Sequence, residues 1–249
     1  MSGPVSRLVD IVFPTDTNHH GTLFGGVALA HMDKVAFIAA SRHGRAPFVT
    51  ASCERIDFAA PARHGELVEA AARVVRVGRR SLSIEATLTA EHPLSGERRL
   101  CAKGLFNMVA LRDGTPPSRD LPALAAEGEA GPDDPLRMVE MVFPDRTNHY
   151  GTLFGGEALA MMGKAAFVAA TRHSRKVVVM AASQRVDFAV PVAGGDLVEL
   201  IPRVIRAGNR SMTVSVEFWA ERLLTGERRK SAVGEFVMVG LADGVSDSA

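Results

Sequence analysis

The sequence predicts an α+β protein made of two tandem modules, each a long buried helix wrapped by an antiparallel sheet. Three observations carry this expectation. The stretch Thr17-Asn18-His19-His20-Gly21-Thr22-Leu23-Phe24-Gly25-Gly26 returns as Thr147-Asn148-His149-Tyr150-Gly151-Thr152-Leu153-Phe154-Gly155-Gly156. The same step of 130 residues takes Arg42 to Arg172, Asp57 to Asp187, Gly78 to Gly208, Gly96 to Gly226 and Phe106 to Phe236 without a gap. A period that long, present twice, means two complete modules and not a solenoid of small repeats. Finally, each glycine stretch leads into one apolar helical run followed by a series of strand signals, which is the pattern of a helix facing an antiparallel sheet.

In copy one, Ser6 to Phe13 reads as an opening strand and the glycine loop follows it. From Gly26 to about Arg42 the residues are rich in Ala, Leu and Met and apolar around most of the circumference, so this helix is buried on several sides. Strands are expected over Phe48 to Ala59, Glu66 to Val77, Ser81 to Glu91 and Glu97 to Leu111. In the third of these, Leu82, Ile84, Ala86, Leu88 and Ala90 alternate with Ser81, Ser83, Glu85, Thr87 and Thr89, the period of a strand with one buried face. Met212, Val214, Val216, Phe218 and Ala220 repeat it in copy two. Pro61 to Gly65, Gly78-Arg79-Arg80 and Pro93 to Gly96 supply the Gly and Pro of the intervening turns. Module one is expected over 5–111 and module two over 135–241. Between them, 112–134 holds Pro116, Pro117, Pro122 and Pro132 and reads as a linker, with a short helical turn near Leu121 to Glu127.

Composition narrows the function. The chain has 249 residues, 47% hydrophobic and 23% charged, enough to bury a substantial core. With 29 Lys and Arg against 28 Asp and Glu there is no global basic field for nucleic acid. No apolar run approaches membrane-spanning length, and Met1-Ser2-Gly3-Pro4 lacks the regions of a secretory signal, so a cytoplasmic protein with no membrane partner is expected. Cys53 and Cys101 correspond to Ser183 and Ser231, so small buried side chains explain both positions better than a disulfide or a metal site. No His or Cys pair has metal-ligand spacing, and no metal or other cofactor is expected.

The chemistry gathers at the glycine loop and the helix it opens. The first amides of a helix have no intrahelical acceptor, and glycines let a ligand approach them, so Gly25-Gly26 and Gly155-Gly156 favour an anion or a developing oxyanion. A tight turn that needs glycine for packing is the plain alternative. Asp33 then sits in an almost wholly apolar helix, where an acid destabilises unless it is exposed or paired. Copy two holds Gly163 there, inside Leu159-Ala160-Met161-Met162-Gly163-Lys164. Glycine costs roughly 1 kcal/mol relative to alanine in a helix interior. Copy two has therefore lost an acid without gaining a better helix, which points to function lost at one of two sites. His31 lies on another helical face and is expected in packing, and Tyr150 in place of His20 argues against an obligatory imidazole in the loop.

The strand, the glycine loop, the long helix and the string Thr-Asn-x-x-Gly-Thr-Leu-Phe-Gly-Gly followed by Met32-Asp33 resemble the hot-dog-fold acyl-CoA thioesterases. The bacterial broad-specificity hydrolases and the two-module animal cytosolic ones are the nearest in pattern. The resemblance covers both modules and implies two tandem hot-dog modules, a coenzyme A thioester substrate hydrolysed to free acid and CoA, and assembly of three chains into six modules. It implies Asp33 as the catalytic carboxylate, acting as general base or nucleophile. Asp33 lies seven residues past Gly26, about 10 Å along a helix, too far for both to meet one carbonyl carbon. The expected partners of Asp33 are therefore Gly155, Gly156, Asn148 and Thr152 of copy two, giving one active site per chain, between the modules. The turns Arg79-Arg80-Ser81 and Asn209-Arg210-Ser211 match those that lie near the nucleotide phosphates in the family, although exposed hairpin arginines are commonplace. A non-catalytic acyl-CoA-binding or scaffolding protein is the alternative.

Overall fold

The computed structural model describes residues 4–111, 120–124 and 135–241. By internal contacts the chain divides into two compact units. One takes in Met1–Glu91, Arg98–Asp133 and Arg222–Glu227, the other His92–Glu97, Asp134–Glu221 and Arg228–Ala249.

Unit one begins with β1 (Ser6–Ile11), passes through a short 3-10 turn at Pro14–Asp16 and enters α1 (Gly25–Gly44). Strands β2 (Phe48–Cys53), β3 (Asp57–Phe58), β4 (Leu67–Val77), β5 (Ser81–Glu91) and β6 (Arg98–Ala110) follow. The sheet order is β1-β4-β5-β6-β2, with β3 also on β6, and these strands pair antiparallel. Met32, Val35, Ala36, Ala39 and Ala40 of α1 bury against Leu82, Ile84, Ala86, Leu88 and Met108. The alternation of β5 is what presents those residues to the helix. Burying side chains of this size contributes about 1.5–3 kcal/mol each, so the small alanines of α1 serve close approach more than burial of area.

Unit two repeats the plan with β7 (Met138–Met141), α2 (Gly155–Ser174), β8 (Val178–Phe188), β9 (Leu197–Ala207), β10 (Ser211–Glu221) and β11 (Arg228–Gly240), in the order β7-β9-β10-β11-β8. Its helix buries Met161, Met162, Ala165, Ala166 and Val168.

Three local expectations are corrected. The strand read as Phe48 to Ala59 breaks after Cys53, whereas its counterpart β8 is continuous. Cys53 and Ser183 are exposed, not buried, because β2 and β8 end their sheets within each unit; only the pair Cys101 and Ser231 is buried. Residues 120–124 form no helical turn, and Ala125 to Glu127 lie outside the described residues. Instead Leu121 and Leu124 pack on the core of unit one, and His43 Nε2 lies 2.7 Å from the Pro122 carbonyl oxygen. Among the described residues, no helix is long and apolar enough to cross a membrane.

Candidate active site

The glycine loops are built in the same way in both copies. Asn18 Nδ2 donates to Thr22 Oγ1 at 3.0 Å, while Asn18 Oδ1 accepts from the His20 amide at 2.8 Å and the Thr22 amide at 3.3 Å. Asn148 does the same for Thr152 and Tyr150, at 3.0, 2.9 and 3.2 Å. Such Asx geometry replaces the backbone bonds that a sharp turn lacks. Gly21 and Gly151 sit at φ +70° and +73°, where a side chain would be strained. Asn148 and Thr152 thus shape the loop that delivers the chain to α2.

Phe24 and Phe154 stand at the N-caps of α1 and α2, and no side chain caps either helix. A Cβ on Gly26 would come within 2.7 Å of the Phe24 ring, and one on Gly156 within 3.0 Å of the Phe154 ring. The second glycine of each pair therefore answers to packing as well as to ligand access. The uncapped amides remain the natural donors for an oxyanion.

On α1 the acid is not a loose surface group. Asp33 is half-buried, and Thr50 on β2 donates its hydroxyl to Asp33 Oδ1 at 2.6 Å. A bond to an ionised acceptor is worth about 1.5–3 kcal/mol, and it fixes one carboxylate oxygen while leaving the other to act. Sequence reasoning missed Thr50. The signal was present in the repeat, because the counterpart of Thr50 is Met180 just as that of Asp33 is Gly163.

In unit two this corner is filled. Gly163 is buried, and a Cβ built there would lie 2.7 Å from Met180 Cε. The methionine end thus lies where a side chain at 163 would begin, and it would have to swing aside to admit one.

The two candidate phosphate turns also differ. In unit one Arg79 is exposed, and Arg80 donates to the Ala110 carbonyl at 3.1 Å, which ties it to the sheet. Ser81 closes the turn through its carbonyl, which accepts from Gly78 at 2.7 Å. In unit two Asn209 and Arg210 line an open cleft of about 280 Å³ together with His173 and Lys176. Ser211 closes that turn in the same way, accepting from Gly208 at 2.8 Å. Leu121 occupies the matching place in unit one, its Cδ2 3.1 Å from where a Gly44 Cβ would stand.

Among the remaining candidates, Arg55–Asp57 and Arg185–Asp187 form exposed ion pairs at 2.8 Å each. The rings of His19 and His20, and of His149 and Tyr150, meet at a tilt, with centroids 3.8 Å apart in both cases. Position 31 is half-buried, and its counterpart Met161 is buried, in keeping with a packing role for His31. Arg99 clamps Glu66, donating to Oε1 at 2.9 Å and also to Oε2, and so holds the Pro61-to-Glu66 segment. That segment receives the glycine loop through the Leu23 amide on the Ala62 carbonyl at 2.8 Å.

A helix with uncapped opening amides, a hydroxyl-braced acid on it and an antiparallel sheet around it define a hot-dog thioesterase module. The thioesterase superfamily model matches residues 20–97 and 150–227, and the chain belongs to that family. A solved structure of an acyl-CoA hydrolase from Agrobacterium tumefaciens superposes with a TM-score of 0.89 at 53% identity, covering 96% of each chain. An uncharacterised acyl-CoA thioester hydrolase of Bacillus subtilis is 41% identical over 100 residues, 40% of this chain and 58% of that protein. Acyl-coenzyme A thioesterase 11 of Mus musculus is 27% identical over 252 residues, 84% of this chain and 42% of the mouse protein. The chain thus spans about half the length of these two curated relatives.

Proposed function

We propose that the chain hydrolyses acyl-CoA thioesters to free acid and CoA, at one site per chain. The observation that carries the reading is the Thr50–Asp33 hydrogen bond at 2.6 Å, set against Gly163 and Met180 at the same corner of copy two. A carboxylate oriented by a hydroxyl is suited to activate water toward a thioester carbonyl, or to attack that carbonyl itself. The names of the Agrobacterium, Bacillus and mouse relatives agree with this substrate class.

Since α1 separates Gly26 from Asp33 by about 10 Å, the acid works with the helix start of the other copy. Gly155 and Gly156 offer amides to the developing oxyanion, and Asn148 and Thr152 hold the loop that aims them. The modules meant are 5–111 and 135–241. CoA phosphates bind at Asn209-Arg210-Ser211, whose cleft is open and cationic, in preference to Arg79-Arg80-Ser81, where Arg80 is engaged and Leu121 packs alongside. Edge strands β2 and β8 expose Val49, Val179 and Met180, which favours further association; a homotrimer of six modules in the cytoplasm is the form we infer. No metal is invoked.

Free-thiol release from a panel of acyl-CoAs tests the reading. Turnover of at least one chain length by the unaltered protein is expected, and none on any of them would leave the acyl-CoA-binding alternative.

A further inference from the structure

In unit two the end of α2 and the turn after β9 line the open cleft of about 280 Å³, where His173, Ser174, Lys176, Asn209 and Arg210 stand. The corresponding place in unit one holds part of the linker. Leu121 and Leu124 pack on the core there, and the His43 ring donates its Nε2 proton to the Pro122 carbonyl oxygen at 2.7 Å. Burial records the cover. His173, Lys176, Ala207, Gly208 and Arg210 are exposed, whereas their counterparts His43, Ala46, Val77, Gly78 and Arg80 are half-buried.

The lining residues account for the seat. In unit one Ala46 and Val77 pack on the core beside Phe48, and so offer leucine an apolar floor. Copy two has Lys176, Ala207 and Val178 at those positions, and a lysine ammonium is strongly hydrated. Gly44 completes the fit, because a Cβ there would come within 2.6 Å of the Phe48 ring and 3.1 Å of Leu121 Cδ2. Its counterpart is Ser174, whose hydroxyl turns back onto the Ala170 carbonyl at 2.9 Å. A phosphate entering the unit-one cleft would have to displace an apolar side chain and a carbonyl oxygen, where unit two presents cations to water.

We infer that residues 120–124 are a plug that closes the copy-one nucleotide cleft, so that a chain with two related clefts binds one CoA. The inference rests on the proposed seating of CoA phosphates at Asn209-Arg210-Ser211. It gives the linker a task beyond joining the modules, that of setting the number of nucleotide sites.

The test is equilibrium dialysis of the full chain against radiolabelled free CoA up to millimolar concentration, with the bound equivalents counted per chain. One equivalent is expected for the unaltered protein. Leu121→Asn with Leu124→Asn removes the apolar anchors and should raise the count to two, while kcat on an acyl-CoA stays unchanged; Leu121→Ala is the milder variant should the double one melt early. Two equivalents for the unaltered chain, or one for the folded plug variants, overturns the inference. So does a fall in kcat in those variants, since the linker would then belong to the working site. Arg210→Ala distinguishes the reading beneath it: undiminished affinity for the single equivalent would sink the seating of phosphates in unit two, with the count in the plug variants still deciding whether the linker closes a CoA site.

Discussion

The two copies build the same loop and the same helix start, yet diverge at the corner where the helix meets the edge strand. In unit one Thr50 braces Asp33; in unit two Met180 fills the space above Gly163. An oriented acid needs both a hydroxyl donor and room for the carboxylate, and each half of that requirement has been replaced. Loss of the acid alone would have left a hole or an idle hydroxyl. In the paired exchange the methionine end takes up space beside the glycine.

The largest expected effect comes from breaking the acid. Asp33→Asn keeps shape and removes the base, and kcat should fall about 10²- to 10⁴-fold, the usual contribution of a positioned acid or base, with thermal melting unchanged. In that background Gly163→Asp together with Met180→Thr rebuilds the corner in copy two and should return measurable turnover. Gly163→Asp alone should return less, since the methionine end must swing aside and no hydroxyl then braces the new acid. Activity retained by Asp33→Asn would move the chemistry elsewhere.

A smaller effect is expected from the brace. Thr50→Ala removes one hydrogen bond to a charged acceptor, worth about 1.5 kcal/mol at the low end, or roughly tenfold in kcat. Met180→Ala in the other copy should leave kcat unchanged. Steady-state kinetics on one acyl-CoA separates them, and equal responses would mean the corner is structural in both copies. The phosphate turns come next. Arg210→Ala should raise KM several-fold at constant kcat, the pattern of lost uniform binding. Arg80→Ala should instead lower the melting temperature, because it frees the Ala110 carbonyl.

How much of this was legible in the sequence follows from the range of each interaction. The duplication, the buried helix and the alternating strand Ser81 to Glu91 are local patterns and stand as read. Asp33 was visible because an acid in an apolar helix is locally anomalous. Thr50 was not, since it joins Asp33 across 17 intervening sequence steps through a sheet edge whose residues show no burial period. The same edge exposes Cys53, which sequence reasoning had buried. The packing of Leu121 on unit one was hidden in a proline-rich stretch with no periodicity of its own.

The smallest expected difference between the copies lies in their surface ion pairs. In unit one the Lys103 ammonium, with Arg73, holds the Glu85 carboxyl below its ordinary range; in unit two Lys230 and the Trp219 ring N–H do so for Glu217. A depressed folded pKa gives stability that is present above the unfolded carboxylate range and lost as pH falls through the folded one. Both pairs should therefore weaken only in acid, below the ordinary glutamate range of about 4.3. Melting temperatures of Glu85→Gln and Glu217→Gln should lie slightly below that of the unaltered chain at neutral pH and converge on it in acid. A gap that widens in acid would contradict the assignment.

The central claim is that one loop serves the working acid and its twin does not. Asn148→Ala and Asn18→Ala disturb equivalent turns through the same three hydrogen bonds, so their structural effects should match. Measured side by side on one acyl-CoA, Asn148→Ala should lower kcat by about tenfold or more, the scale of one lost hydrogen bond at a reacting centre, while Asn18→Ala leaves it unchanged. Equal losses in the two variants, or a loss confined to Asn18→Ala, would contradict the account.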